Sequence, residues 1–272
     1  MDNSVKPLPS KTLIIWDFDW TLINENSDTW LIKQLGGDEE YKHMKSKMKE
    51  YAWTNLMKYE LERITSGSTP GVQKYTAEEI ANTIASIPVY EENLDAIRLL
   101  GNNQHCFQCC VSDANTFFIE SYFDKMGIRD HFQEIHTNPA KWTENGVLDI
   151  SPYVAVDVPH GCPVCSSSPN MCKGAIVDDI VARNGPFDQM VYLGDGRGDY
   201  CGCTRMRKDD IILAREDCSL SAKIKNDKEE VKHENPDESK DTDTTAHLIS
   251  CENIVTWSHG GDILRTIKNE VL

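Results

Sequence analysis

A short apolar run that leads directly into two acidic residues constrains this chain more than any other feature. The run Leu13–Trp16 continues as D-F-D-W-T from Asp17 to Thr21. Such a run is typical of a buried strand, and side chains two apart on a strand point to the same face. Asp17 and Asp19 are therefore expected together at a strand end, where open parallel sheets bind ligands. Because like charges repel, the pair favours a bound Mg²⁺, and a solvated turn is the plain alternative.

The composition limits the kinds of protein that this chain could be. Its 272 residues carry 44 acidic and 28 basic side chains, which gives a formal net charge of −16. An acidic surface disfavours both nucleic-acid binding and docking on anionic membranes. No run approaches the ~20 apolar residues of a membrane span, and residues 1–11 lack the apolar core of a secretory signal. We therefore predict a cytoplasmic protein whose ten cysteines are reduced thiols.

The order of helical and strand patterns predicts a core with an inserted cap. Residues 28–101 are nearly all helical in pattern and include a capping box from Thr76 to Glu79. After them, short apolar strands alternate with helices, which implies a parallel sheet. The predicted fold is α/β, with a doubly wound, mainly parallel sheet in a core of residues 11–27 and 102–272 and a helical cap of residues 28–101. Residues 221–245 are mostly charged or small and polar, so we predict a disordered acidic insertion there.

Four polar clusters stand at the ends of predicted strands or helices, where a parallel sheet would present them to one crevice. Taken singly, each has a plain explanation, such as a turn, a cap or a solvated lysine. Together and in this order, they resemble the motifs of the haloacid-dehalogenase superfamily, which are D-x-D-x-T, a Ser or Thr, a Lys before a helix and G-D-x-x-x-D. The resemblance covers most of residues 13–214 and implies a Rossmann-like core with a cap. The clusters are Asp17/Asp19/Thr21, Ser112/Asp113, Lys173 and Asp195/Asp199.

The chemistry of phosphoryl transfer fits the acidic members of these clusters. A carboxylate can attack phosphorus and form an aspartyl-phosphate, and Asp17 is the predicted nucleophile. Asp19 is predicted to protonate the leaving alcohol and then to deprotonate the attacking water. A Mg²⁺ ion is expected to bind the Asp17 carboxylate, the Asp19 backbone carbonyl and Asp195. Asp199 is expected to be a supporting carboxylate.

The remaining members of the clusters are expected to hold the phosphoryl oxygens. The Ser112 hydroxyl and the Lys173 ammonium suit this role, and backbone N–H groups after Asp17 can complete an anion cradle. The sequence therefore predicts a Mg²⁺-dependent phosphatase that acts on a small phosphorylated metabolite.

Shorter segments resemble one branch of this superfamily, the phosphoethanolamine/phosphocholine phosphatase family. That family also includes pyridoxal-phosphate phosphatases and plant relatives that act on pyrophosphate or thiamine monophosphate. By this resemblance Asp28 and Asp113 contact the substrate, and carboxylates there suit a cationic head such as ethanolamine. Asp28 could instead stabilise the N-terminus of a helix. The segments that carry the resemblance are Asn26–Trp30, Val111–Thr116, Asn170–Gly174 and Gly194–Gly196.

Phosphoethanolamine or phosphocholine is thus the first expected substrate, with pyridoxal 5′-phosphate, thiamine monophosphate and pyrophosphate as alternatives. Two residues depart from the family pattern. Trp20 stands where a smaller or more polar residue is usual, and it could line the substrate pocket or pack under the cap. Arg197 stands in the G-D-x-x-x-D loop where a small residue is common, and Arg205, Arg207 and Lys208 follow it. Together they make this region more basic, so a more anionic substrate such as pyrophosphate stays an alternative. An inactive relative that binds zinc or a protein partner is the alternative from another class, although Asp17 and Asp19 are intact.

A compact group of cysteines precedes Lys173. One imidazole and three thiols stand within thirteen residues, and such side chains are typical ligands of structural zinc. The fourth ligand is left open, because no second C-x-x-C pair follows. Reduced thiols on a loop are the alternative. The candidate Zn²⁺ ligands are His160, Cys162, Cys165 and Cys172.

Overall fold

A parallel sheet forms the centre of the fold, which the computed structural model describes for residues 11–155, 160–165, 170–233 and 248–272. Its six strands lie in the order β3-β2-β1-β6-β7-β8 and every neighbouring pair is parallel, while β4 and β5 form a separate antiparallel pair. The strands are β1 (Thr12–Trp16), β2 (Cys106–Asn115), β3 (Glu134–Asn138), β4 (Ala140–Trp142), β5 (Leu148–Ile150), β6 (Gln189–Gly194), β7 (Ile211–Arg215) and β8 (Asn253–Trp257).

Helices connect these strands, and none in the described part of the chain is both long enough and apolar enough to cross a bilayer. The helices are α1 (Ser27–Lys47), α2 (Trp53–Ser66), α3 (Ala77–Ala85), α4 (Glu91–Gly101), α5 (Thr116–Met126), α6 (Lys173–Asn184), α7 (Arg197–Cys203), α8 (Ser219–His233) and α9 (Gly260–Glu270).

The central strand β1 shows why the sheet is covered on both faces. Its alternate side chains belong to two separate apolar cores, Ile14 and Trp16 to one and Leu13 and Ile15 to the other. The first core also takes side chains from α4, α5 and α9, and the second from α6 and α8. A strand that is apolar on both faces needs this arrangement to bury its side chains. The predicted doubly wound α/β fold is confirmed.

Four helices, α1–α4, lie between β1 and β2 in the chain. Helix α1 changes direction at Gly37, which has a φ of +67° that favours glycine. Helix α3 begins with the capping box predicted from Thr76 and Glu79. Helix α2 packs against β5, whereas α3 packs against α5 and α4 against α9. The division into a core and a cap of residues 28–101 stays a prediction.

The segment from 221 to 245 was predicted to be disordered, and this is wrong for its first part. Helix α8 covers residues 219–233. Leu220 and Ile224 are buried in the second core, and their spacing of four residues places them on one face of a helix. Two apolar anchors therefore hold a helix whose other side chains are mostly polar. The rest of the predicted insertion, residues 234–245, lies outside the described residues.

Candidate active site

Asp17 lies at the centre of the sheet, directly after β1. Trp16 is paired with Cys110 of β2 on one side and with Leu193 of β6 on the other. The Asp17 N–H still donates to the Leu193 carbonyl at 3.0 Å, and the residue is only 5% exposed. Sheet pairing on both sides therefore fixes the backbone from which this carboxylate projects.

An irregular turn, Phe18–Leu22, carries the chain away from Asp17. Trp20 within it has a φ of +56°, which is uncommon for a bulky residue. Its N–H donates to the Glu25 carbonyl at 3.1 Å, and its own carbonyl accepts from Arg215. The Trp20 side chain is 37% exposed, with the Arg215 guanidinium 5.5 Å from the ring centre. Trp20 thus lies at the surface beside Arg215 and is not buried under the helices.

Asp19 is held by the start of helix α1. Its Oδ1 accepts from the Ser27 N–H at 2.9 Å and its Oδ2 accepts from Asn26 Nδ2 at 2.9 Å. Burial, followed by the charge of Asp28, raises the pKa of Asp19 well above its ordinary value, although the Ser27 hydrogen bonds oppose this. A buried carboxyl with a raised pKa keeps its proton to a higher pH than an exposed one, which suits a group that must give and take a proton.

Lys173, the first residue of α6, joins two of the predicted acidic residues. Its Nζ lies 2.9 Å from Asp17 Oδ1 and 2.7 Å from Asp199 Oδ1, and all three side chains are buried. Burial alone lowers the pKa of Lys173, but the charges of Asp17 and Asp199 outweigh it and hold that pKa well above its ordinary value. Lys173 therefore stays an ammonium beside the Asp17 carboxylate.

Asp199 fixes the loop that follows β6. Its Oδ2 accepts from the N–H groups of Asp195 and Gly196 at 3.1 and 2.9 Å, and its Oδ1 accepts from the Tyr192 hydroxyl at 3.0 Å. A Cβ on Gly194 would lie 2.6 Å from the Asp199 Cγ, so a side chain at that position would displace the carboxylate. These contacts explain the G-D-x-x-x-D pattern in physical terms.

Three carboxylates of this centre could share a cation. Oxygen atoms of Asp17, Asp195 and Asp199 all lie within 4.8 Å of one another. Burial and the charges of Asp199 and Asp195 raise the pKa of Asp17 well above its ordinary value, although Lys173 lowers it. Burial and Asp199 raise the pKa of Asp195 to about 7. Three acidic groups face one ammonium, and such an oxygen-rich group with excess negative charge fits Mg²⁺.

The predicted phosphate and substrate residues lie around this centre in different settings. Ser112 is fully buried near the end of β2, and its Oγ accepts from the Ala114 N–H at 3.2 Å. Asp113 is exposed. Asp28 is buried in the first turn of α1 and accepts a hydrogen bond from Trp53 Nε1 at 2.7 Å. The structure therefore groups Asp17, Lys173, Asp195 and Asp199. Asp19 follows Asp17 by two residues, and Ser112 lies near the end of the neighbouring strand β2.

A cavity of about 560 Å³ opens beside Lys173. Its lining combines one exposed carboxylate, Asp113, with three cationic side chains, Lys173, Arg197 and Lys223. Tyr200 supplies an aromatic wall. The cavity therefore offers charges of both signs to a bound molecule.

The cysteine group differs from the prediction in one ligand. Among the described residues, the fourth side chain that joins Cys162, Cys165 and Cys172 is Cys201, not His160. His160 instead accepts the Cys162 N–H at its Nδ1, at 3.2 Å. Cys201 lies 29 residues beyond Cys172 in the chain, and the packing of α7 on α6 brings the two together.

Three polar side chains of this centre were not predicted: Asn26, Trp53 and Tyr192. Asn26 is the N-cap of α1, and its place before a helix could be recognised from the sequence. Its second contact, a hydrogen bond to the Asp19 carboxylate, could not. Tyr192 is a phenol within a buried apolar strand, and a buried tyrosine hydroxyl usually has a hydrogen-bond partner, so its position was a signal. Trp53 lies 25 residues from Asp28, and no local pattern links the two.

Comparison with known proteins supports a phosphatase family. The family described as "Putative Phosphatase" matches residues 12–267. "Inorganic pyrophosphatase 2" of Arabidopsis thaliana is 36% identical over 210 residues, which cover 75% of this chain and 70% of that protein. "Thiamine phosphate phosphatase-like protein" of the same plant is 33% identical over 220 residues, covering 79% and 84%. "Pyridoxal phosphate phosphatase PHOSPHO2" of Homo sapiens is 26% identical over 264 residues, covering 95% and 98%.

Comparison of structures supports the fold. A solved protein described as "Phospho-Aspartyl Intermediate Analogue of Phosphoserine phosphatase" has a TM-score of 0.56 at 14% identity and covers 94% of this chain and 99% of its own. At this identity the likeness concerns the fold alone, and it agrees with the predicted superfamily. The chain therefore belongs to the "Putative Phosphatase" family and has the fold of the haloacid-dehalogenase phosphatases.

Proposed function

We propose that this phosphatase is Mg²⁺-dependent and hydrolyses a small phosphorylated metabolite through an aspartyl-phosphate on Asp17. The observation that carries the proposal is the position of the Asp17 carboxylate. It lies at the end of the central strand, 2.9 Å from the Lys173 ammonium, and it shares a potential cation site with Asp195 and Asp199. A nucleophilic carboxylate needs this neutralisation before an anionic phosphate can approach it.

The reaction takes place in two displacements. An Asp17 oxygen forms a bond to phosphorus while the bond from phosphorus to the leaving oxygen breaks. The Asp19 carboxyl gives its proton to that oxygen. Asp19 then takes a proton from water, which attacks phosphorus, releases phosphate and restores Asp17. The hydrogen bonds from Ser27 and Asn26 hold Asp19 in place for both transfers.

Lys173 and Ser112 hold the phosphoryl group in this proposal. Lys173 supplies a fixed positive charge because Asp17 and Asp199 keep it protonated. Ser112 lies near the end of the strand beside β1, so its hydroxyl can reach an oxygen of a phosphate attached to Asp17. Phosphoryl transfer depends mainly on such positioning and charge neutralisation.

Asp17 and Asp195, with the backbone carbonyl of Asp19, would hold the Mg²⁺ ion. The carboxylate oxygens of Asp17 and Asp195 are close enough to share one cation. When bound, the ion neutralises charge between the phosphate and the nucleophile. Asp199 supports the site from the side, since its oxygens already accept hydrogen bonds from Lys173, Tyr192 and the loop.

We propose phosphoethanolamine or phosphocholine as the first substrates to test. Asp28 is buried, yet among the described residues its carboxylate has only the Trp53 indole as a hydrogen-bond donor and forms no ion pair. A cationic head group would supply the missing charge. Asp113 adds a second carboxylate at the edge of the cavity.

A second candidate is a substrate with a further anionic group, such as pyrophosphate. Arg197 and Lys223 line the cavity together with Lys173, and they would bind a second phosphate. The Arabidopsis relative that is 36% identical is an inorganic pyrophosphatase by name. Pyridoxal 5′-phosphate and thiamine monophosphate belong in the same test, because relatives with those names also match.

The class of protein is tested with p-nitrophenyl phosphate and Mg²⁺. We expect turnover by the wild type and a loss of at least about 10³-fold in Asp17→Asn, because the amide cannot form the covalent intermediate. Equal background rates for both proteins would support an inactive relative that binds a partner instead.

The substrate is tested with a panel of phosphoethanolamine, phosphocholine, pyridoxal 5′-phosphate, thiamine monophosphate and pyrophosphate. If Asp28 binds a cationic head, Asp28→Asn raises the KM for phosphoethanolamine by about tenfold and leaves pyrophosphate unchanged. Glu25→Gln removes a carboxylate three residues earlier and serves as the matched control. Preference for pyrophosphate, lost in Arg197→Ala, would favour the second candidate.

A further inference from the structure

Four cysteine sulfurs meet beside the carboxylate centre, between the start of α6 and helix α7. The distance from Cys201 Sγ is 3.5 Å to Cys162 Sγ and 3.5 Å to Cys172 Sγ, and Cys165 Sγ lies 3.6 Å from Cys172 Sγ. All four atoms lie within 4.8 Å of one another, and all four thiols are free. The cluster therefore has four donor atoms around one point.

The geometry matches a tetrahedral metal site. Zinc binds thiolates at about 2.3 Å, so the sulfurs of a Zn(Cys)₄ site lie about 3.8 Å apart. The three distances of 3.5–3.6 Å need only a small expansion, and the other sulfur pairs lie within 4.8 Å. Four protein ligands leave no open position, which is typical of structural rather than catalytic zinc. We propose that this chain carries a structural Zn²⁺ site with four ligands: Cys162, Cys165, Cys172 and Cys201.

The surroundings are suited to the charge of such a site. Four thiolates around Zn²⁺ carry two negative charges in excess. The Gly174 and Ala175 N–H groups at the start of α6 donate to Cys201 and Cys172, and a helix N-terminus favours negative charge. Arg205 interacts electrostatically with Cys201 and adds a positive charge. A Cβ on Gly174 would lie 2.6 Å from the Cys201 Sγ, so this glycine leaves room for the sulfur.

The position of the site links it to the phosphate-binding end of the fold. Cys172 directly precedes Lys173, and Cys201 follows Asp199 by two residues. The metal would therefore tie together the two segments whose side chains form the 2.7 Å Lys173–Asp199 ion pair. The zinc site itself does not depend on the proposed phosphatase mechanism. Only its consequence for Lys173 rests on that proposal.

The first experiment measures metal content. Protein expressed in zinc-supplemented medium and purified under reducing conditions without chelator should hold about one zinc ion per chain. Cys165→Ser should lose most of it, whereas Cys218→Ser, a half-buried cysteine outside the cluster, should keep it. Asp195→Asn should also keep it, which separates this zinc from zinc bound at the carboxylates. Equal zinc in Cys165→Ser and the wild type would overturn the proposal.

A second measurement uses only the wild type, so it tests metal binding by the four cysteines even if a variant does not fold. Replacing zinc by Co²⁺ should give the intense visible bands and the thiolate charge-transfer band of a tetrahedral four-sulfur site. Less than about 0.2 metal ion per chain after loading would contradict the proposal. Disulfides within the cluster, detected by mass spectrometry in protein purified under reducing conditions, would also contradict the proposal.

The consequence for the active site is tested by hydrogen exchange. Removing zinc should speed the exchange of amides at the start of α6 and in α7, with little change in the distant strand β8. This readout needs no enzyme activity, so its failure is distinct from failure of the phosphatase proposal. Uniform acceleration across the chain would show that zinc does not act locally on these two segments.

Discussion

Asp199 accepts hydrogen bonds from four donors with its two carboxylate oxygens. Besides the Lys173 ammonium, these are the Tyr192 hydroxyl and the N–H groups of Asp195 and Gly196. Asp199 is fully buried, so each contact is formed away from water. Its position depends on these partners, and so does that of Lys173. A change at Asp199 should therefore act on the active site without touching the nucleophile.

We expect Asp199→Asn to lower the free energy of unfolding by about 2–4 kcal/mol. The NH₂ group of the asparagine would face groups that are themselves hydrogen-bond donors, and Lys173 would keep only one acidic partner. Chemical denaturation of the metal-free protein measures this. Tyr192→Phe removes one hydrogen bond from the same carboxylate and should cost only about 1 kcal/mol. Equal stability of Asp199→Asn and the wild type would contradict the role of Asp199 as the anchor.

Asp28 should make the stability of the protein depend on pH. Burial raises its pKa to about 7, although the Trp53 hydrogen bond opposes this, while in the unfolded chain the pKa is about 3.9. The folded state thus holds the proton to a higher pH, and the contribution of Asp28 to stability falls as the pH rises from about 4 to about 7.

Asp28→Asn should therefore stabilise the metal-free protein by about 2 kcal/mol at pH 8 and by much less at pH 4. The amide oxygen can still accept from Trp53, so the packing is retained. Thermal unfolding of both proteins across this range checks the sign. A variant that is less stable than the wild type at pH 8 would mean that Asp28 is already neutralised.

The residues that could be predicted are those whose chemistry is local in sequence. Asp17 and Asp19 follow an apolar run, and Asp195 and Asp199 lie four residues apart. These short local patterns carry the resemblance to the superfamily motifs that predicted the four residues. Cys201 and Trp53 act through tertiary contacts across 29 and 25 residues. His160 is close to the three cysteines in sequence, but in space Cys201 takes the fourth position beside them.

At the scale of elements, the first turn of helix α3 allows a prediction about its capping hydrogen bonds. The Thr76 hydroxyl accepts the Glu79 N–H at 3.3 Å, and the Glu79 carboxylate accepts the Thr76 N–H at 2.8 Å. Thr76→Ala should lower the free energy of unfolding by about 1 kcal/mol, while Thr76→Ser should stay near wild type. Urea denaturation measures both, and equal loss in the two variants would mean that the Thr76 methyl group matters instead.

Elements with a clear apolar period could be predicted from the sequence, and α8 shows where this fails. The strands beside β1 are largely apolar in their central part, Cys106–Val111 apart from Gln108 in β2 and Met190–Leu193 in β6, as expected for a sheet covered on both faces. Helix α8 has only Leu220 and Ile224 buried among its described side chains. Those two contacts are invisible in a segment dominated by charge, so tertiary packing decided its structure.

At the scale of the whole molecule, several segments of the chain place active-site residues at the same end of the sheet. The ends of β1, β2 and β6 and the start of α6 supply Asp17, Ser112, Asp195 and Lys173. Because parallel strands all end at the same edge, this convergence follows from the topology. It also concentrates negative charge in a chain whose net charge is already −16, so a cation bound there should stabilise the whole fold.

Mg²⁺ should therefore raise the melting temperature by about 5 °C at saturating concentration, since a ligand that binds only the folded state stabilises it. The pKa of Asp195 in the metal-free protein is about 7. Below that pH a proton competes with the metal, so the Mg²⁺-induced shift should be larger at pH 8 than at pH 6. Asp195→Asn should remove most of the shift at constant ionic strength. If the shift persists in that variant, Mg²⁺ acts by screening the general negative charge and not by binding at the end of the sheet.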